Sequence, residues 1–202
     1  MKQNLLRRFL VSFFLLLAVL GAGTSVQAAS VAATNKKADK AFDARIASLR
    51  ADSDFPLRYA YVDLTGDKIH EALVEYRPRS NKGSDDTFSV FAYQKGAVKQ
   101  ILSIREYGLT KCTYYTKTKS LILYGTGRGG EWHRYFQING TRYKDIVQRI
   151  RKSTAGGGTE YGPWQYTMGK NKTKITKAKF ISLRKPLLKG TKRTLSSWKK
   201  LS

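Results

Sequence analysis

Hydrophobic residues recur at helical spacing near the start of the chain. They follow one another at steps of four, four and three, as Ala38, Phe42, Ile46 and Leu49. This spacing places them on one face of an α-helix. Thr34 or Asn35 suits its N-cap, and Pro56 closes the segment because proline cannot continue a helix. We predict a helix that starts near Lys36 and packs through this face.

From Leu57 onward the hydrophobic period changes to two, which is typical of β-strands. Short polar segments interrupt this pattern at 94–97, at 117–119 and at Asn139-Gly140, and each predicts a hairpin turn. The stretch after Asn139-Gly140 also fits a helical face, and the turn favours a strand there. The pattern predicts six to eight mostly antiparallel strands.

A second helical pattern lies in the basic C-terminal third. Phe180, Leu183 and Leu187 are in helical register, and Thr176 is a suitable cap. Pro186 lies inside the run, so the helix should stop or kink there. The predicted class is α+β: an N-terminal helix, the strands in a meander or half-barrel, and a short basic C-terminal helix.

The first 28 residues have the pattern of a secretory signal peptide. Cations at the start precede an apolar run from Phe9 to Leu20, and Val26-Gln27-Ala28 provides small residues for cleavage. We predict a signal peptide over 1–28, a flexible leader over 29–35 and a single β-rich domain over 36–202. The protein should be secreted, extracellular or associated with the cell envelope. A retained membrane anchor is the alternative.

Positive charge is concentrated towards the C-terminus. The chain has 38 Lys and Arg against 14 Asp and Glu, a formal net charge of +24. Residues 141–202 contain 17 of these cations and only two acids. Such a surface attracts polyanions at long range. Expected partners are an anionic polymer such as teichoic acid, a glycan or a membrane surface, whereas sequence-specific nucleic acid binding is not expected because no such module is recognisable. Solubility, or life at acidic pH, without a dedicated partner is the alternative explanation.

Candidate ligand-binding residues are cations and aromatic side chains of the glycine-rich loops and of the basic third. Exposed rings among cations can stack on sugars or bases, although rings in a sheet often belong to its core. The predicted set is Arg128, Trp132, Trp164, Lys177, Lys179, Arg184 and Lys185.

The glycines at 125, 127 and 130 form a G-x-G-x-x-G frame after a strand. A dinucleotide-binding motif requires a helix to begin there, and the following residues favour a strand. We interpret this segment as a loop between two strands.

Acidic side chains are evenly spaced in "DLTGDKIHEALVEY", residues 63–76. Calcium takes six to eight oxygen ligands, and alternate loop positions can direct several oxygens to one ion. The candidate ligands are Asp63, Thr65, Asp67, the backbone carbonyl of Ile69, and Glu71. The alternative is a polar turn whose carboxylates pair with local lysines and backbone amides.

This stretch resembles the D-x-[DN]-G-D-G-x-x-[DE] calcium loops of integrin-type FG-GAP repeats. The chain also resembles small secreted proteins of Gram-positive bacteria, mostly of unknown function, that carry one such loop after an N-terminal helix. The resemblance implies Ca²⁺ as a structural cofactor, with Gly66 at the turn. Two positions depart from the motif, because Thr65 replaces its Asp or Asn and Lys68 replaces its second Gly.

These observations favour an exported, non-enzymatic protein that binds anionic envelope polymers or glycans through its basic surface. Two alternatives come from other classes. One is a small secreted enzyme of cell-wall or glycan turnover, with Glu131 as its candidate acid. The other is a ligand-binding or inhibitor module with an apolar pocket.

Overall fold

The structure is a computed structural model. It describes residues 28–53, 55–80, 86–106, 108–127, 130–140, 142–154, 161–195 and 197–201. The predicted signal peptide lies outside this part except for its last residue, and so does Arg128. In the described ranges, no helix is both long and apolar enough to cross a membrane. The chain divides into two units, residues 1–37 and 38–202, and all the described strands belong to the second.

The N-terminal helix, α1, occupies residues 28–51. Residues 29–35, predicted to precede the helix, are therefore helical, and the prediction of an N-cap at Thr34 is wrong. The Thr34 hydroxyl instead donates to the backbone oxygen of Ser30 at 2.9 Å, a bond made within a helix. The predicted apolar face is confirmed, since Phe42 and Ile46 are buried.

Twelve strands are present in the described part of the chain. They are β1 (Leu57–Val62), β2 (Glu71–Tyr76), β3 (Asp86–Gln94), β4 (Ala97–Glu106), β5 (Leu109–Tyr115), β6 (Ser120–Gly127), β7 (Gly130–Asn139), β8 (Arg142–Arg151), β9 (Gln165–Met168), β10 (Thr173–Lys174), β11 (Lys192–Thr194) and β12 (Lys199–Leu201).

The strands form two open antiparallel sheets. In the first sheet, β1 to β4 follow one another in chain order, and β12 is added beside β1. In the second sheet, β5 to β10 follow in chain order, and β11 is added beside β5. The α+β class is confirmed, and the strand count exceeds the predicted six to eight. The extra strands β10 to β12 are two or three residues long and mostly exposed, so they lack the alternation of apolar residues that predicts a strand.

All three predicted hairpin turns are confirmed. The first joins β3 to β4 through Lys95 and Gly96, and the second joins β5 to β6 through residues 116–119. Asn139-Gly140 ends β7, and the stretch after it is strand β8 rather than a helix. Gly140 has a φ of 58°, which glycine adopts without steric cost.

Buried side chains form three layers of core. The central core lies between the two sheets, with Phe88 from the first and Phe136 from the second. The outer face of the first sheet packs against Phe42 and the other apolar residues of α1. The outer face of the second sheet packs against the C-terminal helix through Tyr135, Val147 and Phe180, among others.

The C-terminal helix, α2 (Lys177–Arg184), begins at the predicted cap. The Thr176 hydroxyl oxygen accepts a bond from the backbone N–H of Lys179 at 3.2 Å. The backbone tightens into a 3₁₀ turn over Lys185–Leu188, where Pro186 removes a donor from the helix. This turn buries Leu187. Because α2 ends at Arg184, just before the proline, the predicted stop is confirmed.

Candidate functional site

A row of polar and aromatic side chains crosses the outer face of the second sheet. Successive residues of a strand point to opposite faces, and paired residues of neighbouring strands share a face. Register places five residues in one line across β5 to β9: Lys111, Tyr124, His133, Arg149 and Tyr166. The sequence therefore assembles this row from five separate strands.

A cavity of about 340 Å³ lies over this row. Strands β5 to β8 provide its floor, and Arg184 of α2, Leu188 of the 3₁₀ turn and Lys192 of β11 lie along its sides. Two further side chains of β7, Glu131 and Tyr135, also line the cavity, because each lies two residues from His133 along the strand and so shares its face.

Aromatic rings hold the arginines of this region in place. The Arg149 guanidinium lies 4.3 Å from the centre of the Trp164 ring. Arg151 lies 4.8 Å from the same ring and 4.4 Å from that of Tyr161. Arg184 lies 5.6 Å from the Tyr135 ring. Cation–π contacts restrict each guanidinium to a plane, which reduces the entropy lost when it binds a ligand.

Among the described residues that line the cavity, Glu131 has the single carboxylate. This carboxylate already forms an ion pair with Arg151. Arg151 Nε donates to its Oε2 at 2.6 Å. Burial alone would raise the pKa of Glu131, but the hydrogen bond and the charge of Arg151 lower this pKa below its ordinary value. Glu131 therefore stays ionised at neutral pH, and its charge is offset by Arg151.

His133 is neutral in this environment. Burial and the positive charge of Arg149 lower its pKa to about 4. Arg149 Nη2 lies 3.1 Å from His133 Nε2, and an arginine can only donate, so Nε2 accepts and the ring proton is on Nδ1. Glu131 Oε1 lies 3.6 Å from the same Nε2, but an unprotonated nitrogen forms no ion pair with a carboxylate.

Two of the arginines that line the cavity each have one N–H donor without a hydrogen-bond acceptor. Arg149 Nε and Arg184 Nε are both buried, and no hydrogen bond to either is found among the described residues. A buried donor without an acceptor costs on the order of 1–3 kcal/mol, more for a charged group. The positive charge of the lining comes from Lys111, Arg149, Arg184 and Lys192, against the single carboxylate of Glu131. The arrangement is suited to an anion.

Three of the predicted binding residues have contrasting positions. Arg184 lines the cavity. Trp164 does not line it, but its ring contacts the guanidiniums of Arg149 and Arg151. Trp132 is 8% exposed and packs in the central core, which corrects its prediction as a binding residue. It alternates with His133 along β7 and therefore faces the other way. A Cβ on its cross-strand neighbour Gly125 would lie 2.3 Å from the indole, so only glycine accommodates the ring there.

The predicted lysines lie beside the cavity rather than in it. Lys177, Lys179 and Lys185 are exposed on α2 and on the turn after it, and they do not line the cavity. The prediction did not include Lys111, His133, Arg149 or Lys192 as binding residues. The alternation of Glu131, His133 and Tyr135 along β7 is the signal that could have identified the face.

The acidic loop between β1 and β2 is closed by its own hydrogen bonds. Asp63 Oδ1 accepts from the Gly66 N–H at 2.6 Å, and Asp67 Oδ1 accepts from the Ile69 N–H at 2.9 Å. Lys68 has a φ of 69°, in the left-handed region where the calcium-loop motif has its glycine. The loop therefore turns through a left-handed residue at Lys68, and its two aspartates are directed to backbone amides.

Glu71 lies beneath this loop and is 4% exposed. Its Oε2 accepts from the backbone N–H groups of Leu64 and Thr65 at 2.7 and 3.3 Å, and the Thr65 hydroxyl lies 3.2 Å from its Oε1. Burial raises the pKa of Glu71 to about 7. No group of three or more His, Cys, Asp or Glu side chains is placed to hold a metal in the described ranges. The loop in this arrangement fits a polar turn better than a calcium site, and Ca²⁺ binding stays a prediction.

No protein-family model, curated protein or solved structure matches the chain.

Proposed function

We propose that this is an exported, non-enzymatic protein that binds an anionic polymer of the cell envelope or an anionic glycan, with the cavity on the second sheet as its main contact. The observation that carries the proposal is the convergence of Lys111, Arg149, Arg184 and Lys192 around one already neutralised carboxylate. The signal-like first 28 residues support export.

The distribution of charge in the fold supports the same proposal. Most of the basic C-terminal third folds as β8 to β11 and α2, which belong to the second sheet or pack on its outer face. The exposed lysines Lys177, Lys179 and Lys185 of α2 and the next turn add to the positive potential beside the cavity. A polyanion would be attracted to this side of the domain and then held by the arginines.

An enzyme of glycan turnover is supported less well by the geometry. Most glycosidases need two carboxyl groups, one of them protonated to act as an acid. Glu131 is held ionised by Arg151, and the described lining residues contain no second carboxylate. The arrangement is therefore better suited to binding than to acid catalysis.

The test is the affinity of the full chain for labelled teichoic acid and labelled heparin at two salt concentrations. We expect Arg149→Gln/Arg184→Gln to weaken binding by about tenfold or more, since each lost charge-assisted hydrogen bond is worth roughly 1.5–3 kcal/mol. The matched control is Lys99→Gln/Arg105→Gln, which removes two exposed cations of β4 on the first sheet.

Lys177→Gln/Lys179→Gln measures the diffuse contribution of α2. It should weaken binding less than the cavity pair and mainly at low salt, because exposed charges are screened. Equal losses in all three double variants would show that the cavity has no special part. Failure of the wild-type chain to bind either polymer would overturn the proposed function.

A further inference from the structure

We propose that the cavity is a preformed site for a tetrahedral oxyanion, the phosphate or sulfate ester group of a polymer, held between Arg149 and Arg184. This inference rests on the proposed function and specifies the ligand chemistry of the same site.

The cations reach the cavity from several directions. Arg149 comes from β8, Arg184 from α2, Lys111 from β5 and Lys192 from β11. Four different elements thus bring positive groups to one cavity. A planar carboxylate presents its two oxygens in one plane, whereas the oxygens of a phosphate or sulfate point in several directions. Donors from separate elements match the second shape.

Both guanidiniums are held in one orientation, and each has a donor that is not hydrogen-bonded. Arg149 is held against Trp164 and donates through Nη2 to His133, and Arg184 lies against Tyr135. Each keeps a buried Nε without an acceptor in the described part of the chain. A guanidinium also binds two oxygens of one oxyanion through its pair of Nη groups. These two arginines are already oriented and incompletely hydrogen-bonded, so an oxyanion in the cavity would supply acceptors that they lack.

The cavity also has a suitable size and charge. Its volume of about 340 Å³ lies at the small end of the roughly 300–1,000 Å³ that is usual for ligand pockets. This space suits one charged unit of a polymer with the sugar or polyol attached to it. The lining has an excess of three positive charges, four cations against Glu131. Such an excess offsets the charge of an oxyanion ester and of its neighbours along a chain.

The experiment compares polyphosphate, heparin and polyglutamate of similar charge and length on the full chain at one ionic strength. We expect polyphosphate, heparin or both to bind about tenfold more tightly than polyglutamate, because a tetrahedral group offers a further oxygen to the donors of other elements, worth about one charge-assisted hydrogen bond. The arm that binds more tightly identifies phosphate or sulfate as the source.

Arg149→Lys/Arg184→Lys keeps both charges and removes both forks. We expect it to weaken the binding of the ester polymers more than that of polyglutamate and so to lose the preference for the ester polymers. Trp164→Leu keeps every cation and releases Arg149, so it should reduce the preference in the same direction. Thermal melting of each variant checks that it is folded.

The outcomes separate the two proposals. If wild type binds none of the three polymers, the proposed function fails. If it binds all three equally, or if both variants keep the full preference, polyanion binding stands and the oxyanion site is wrong.

Discussion

His133 and Glu71 have pKa values that depart from their ordinary values in opposite directions. The pKa of His133 falls from 6.5 to about 4, so its neutral form stabilises the fold above pH 6.5. This stability is lost as pH falls through about 4, because the unfolded chain takes up a proton first. The pKa of Glu71 rises from 4.5 to about 7, so its contribution is complete below pH 4.5 and is lost as pH rises through about 7. Between about pH 4 and pH 7, a rise in pH therefore increases the free energy of unfolding through His133 and decreases it through Glu71.

Single substitutions should separate these effects. With Glu71→Gln, the change in the free energy of unfolding from pH 4 to pH 7 should be about 3 kcal/mol more positive than in wild type, because the opposing effect of Glu71 is removed. With His133→Gln, the same change should be more negative than in wild type by a similar amount. The change in wild type should lie between those of the two variants. Urea unfolding at several pH values measures all three, and parallel curves would contradict the assigned environments.

The acidic loop is the other place where single residues decide between two interpretations. A polar turn, in which Asp63, Asp67 and Glu71 are already satisfied by backbone donors, gives the same melting temperature in EDTA and in millimolar CaCl₂. Asp67→Ala should lower the melting temperature equally in both buffers. A rise with calcium in wild type that is absent in Asp67→Ala would instead establish a cation site, since a ligand of the folded state raises the melting temperature.

At the scale of elements, the last strands of the chain complete both sheets. β11 pairs with β5, and β12 pairs with β1. Between them the backbone N–H of Leu195 donates to the Cys112 oxygen at 2.9 Å, and Trp198 lies 4.9 Å below the Arg58 guanidinium. Arg58 in turn pairs with the buried Glu75, whose pKa is raised by burial. The C-terminal segment thus covers polar and apolar groups at one edge of each sheet.

Removal of residues 195–202 should therefore destabilise the domain. We expect the free energy of unfolding to fall by about 3 kcal/mol, from the lost burial of Leu195, Trp198 and Leu201. Lys199→Ser/Lys200→Ser is the control, since it removes charge and keeps the strand pairing, and it should have little effect. Urea denaturation of the three proteins measures the difference. An unchanged stability after truncation would show that the segment contributes nothing to the fold.

At the scale of the whole molecule, local patterns were predictable and the assembly was not. The turn at Asn139-Gly140 and the cap at Thr176 depend on neighbouring residues, and both were found as expected. The division into two sheets depends on contacts between distant strands, which no local pattern contains.

The candidate site illustrates this limit. Arg184 and Trp164 were predicted from composition, but their neighbours were not. His133 and Arg149 belong to different strands, and only the register of β7 and β8 makes them partners. Trp132 was assigned to the binding surface because it adjoins a glycine-rich loop, although one step along the strand places it in the core.

The pairing of β1 with β12 also has a consequence for the rate at which the protein folds. Leu57 and its partner Leu201 are separated by almost the whole length of the described domain, so the first sheet cannot gain its edge strand until all of the intervening chain is available to fold. Contacts between such distant residues form slowly because a long loop must close first. Until then the edge of β1 is open to association with other chains, and the two lysines of β12 later replace it with a charged edge that discourages such association.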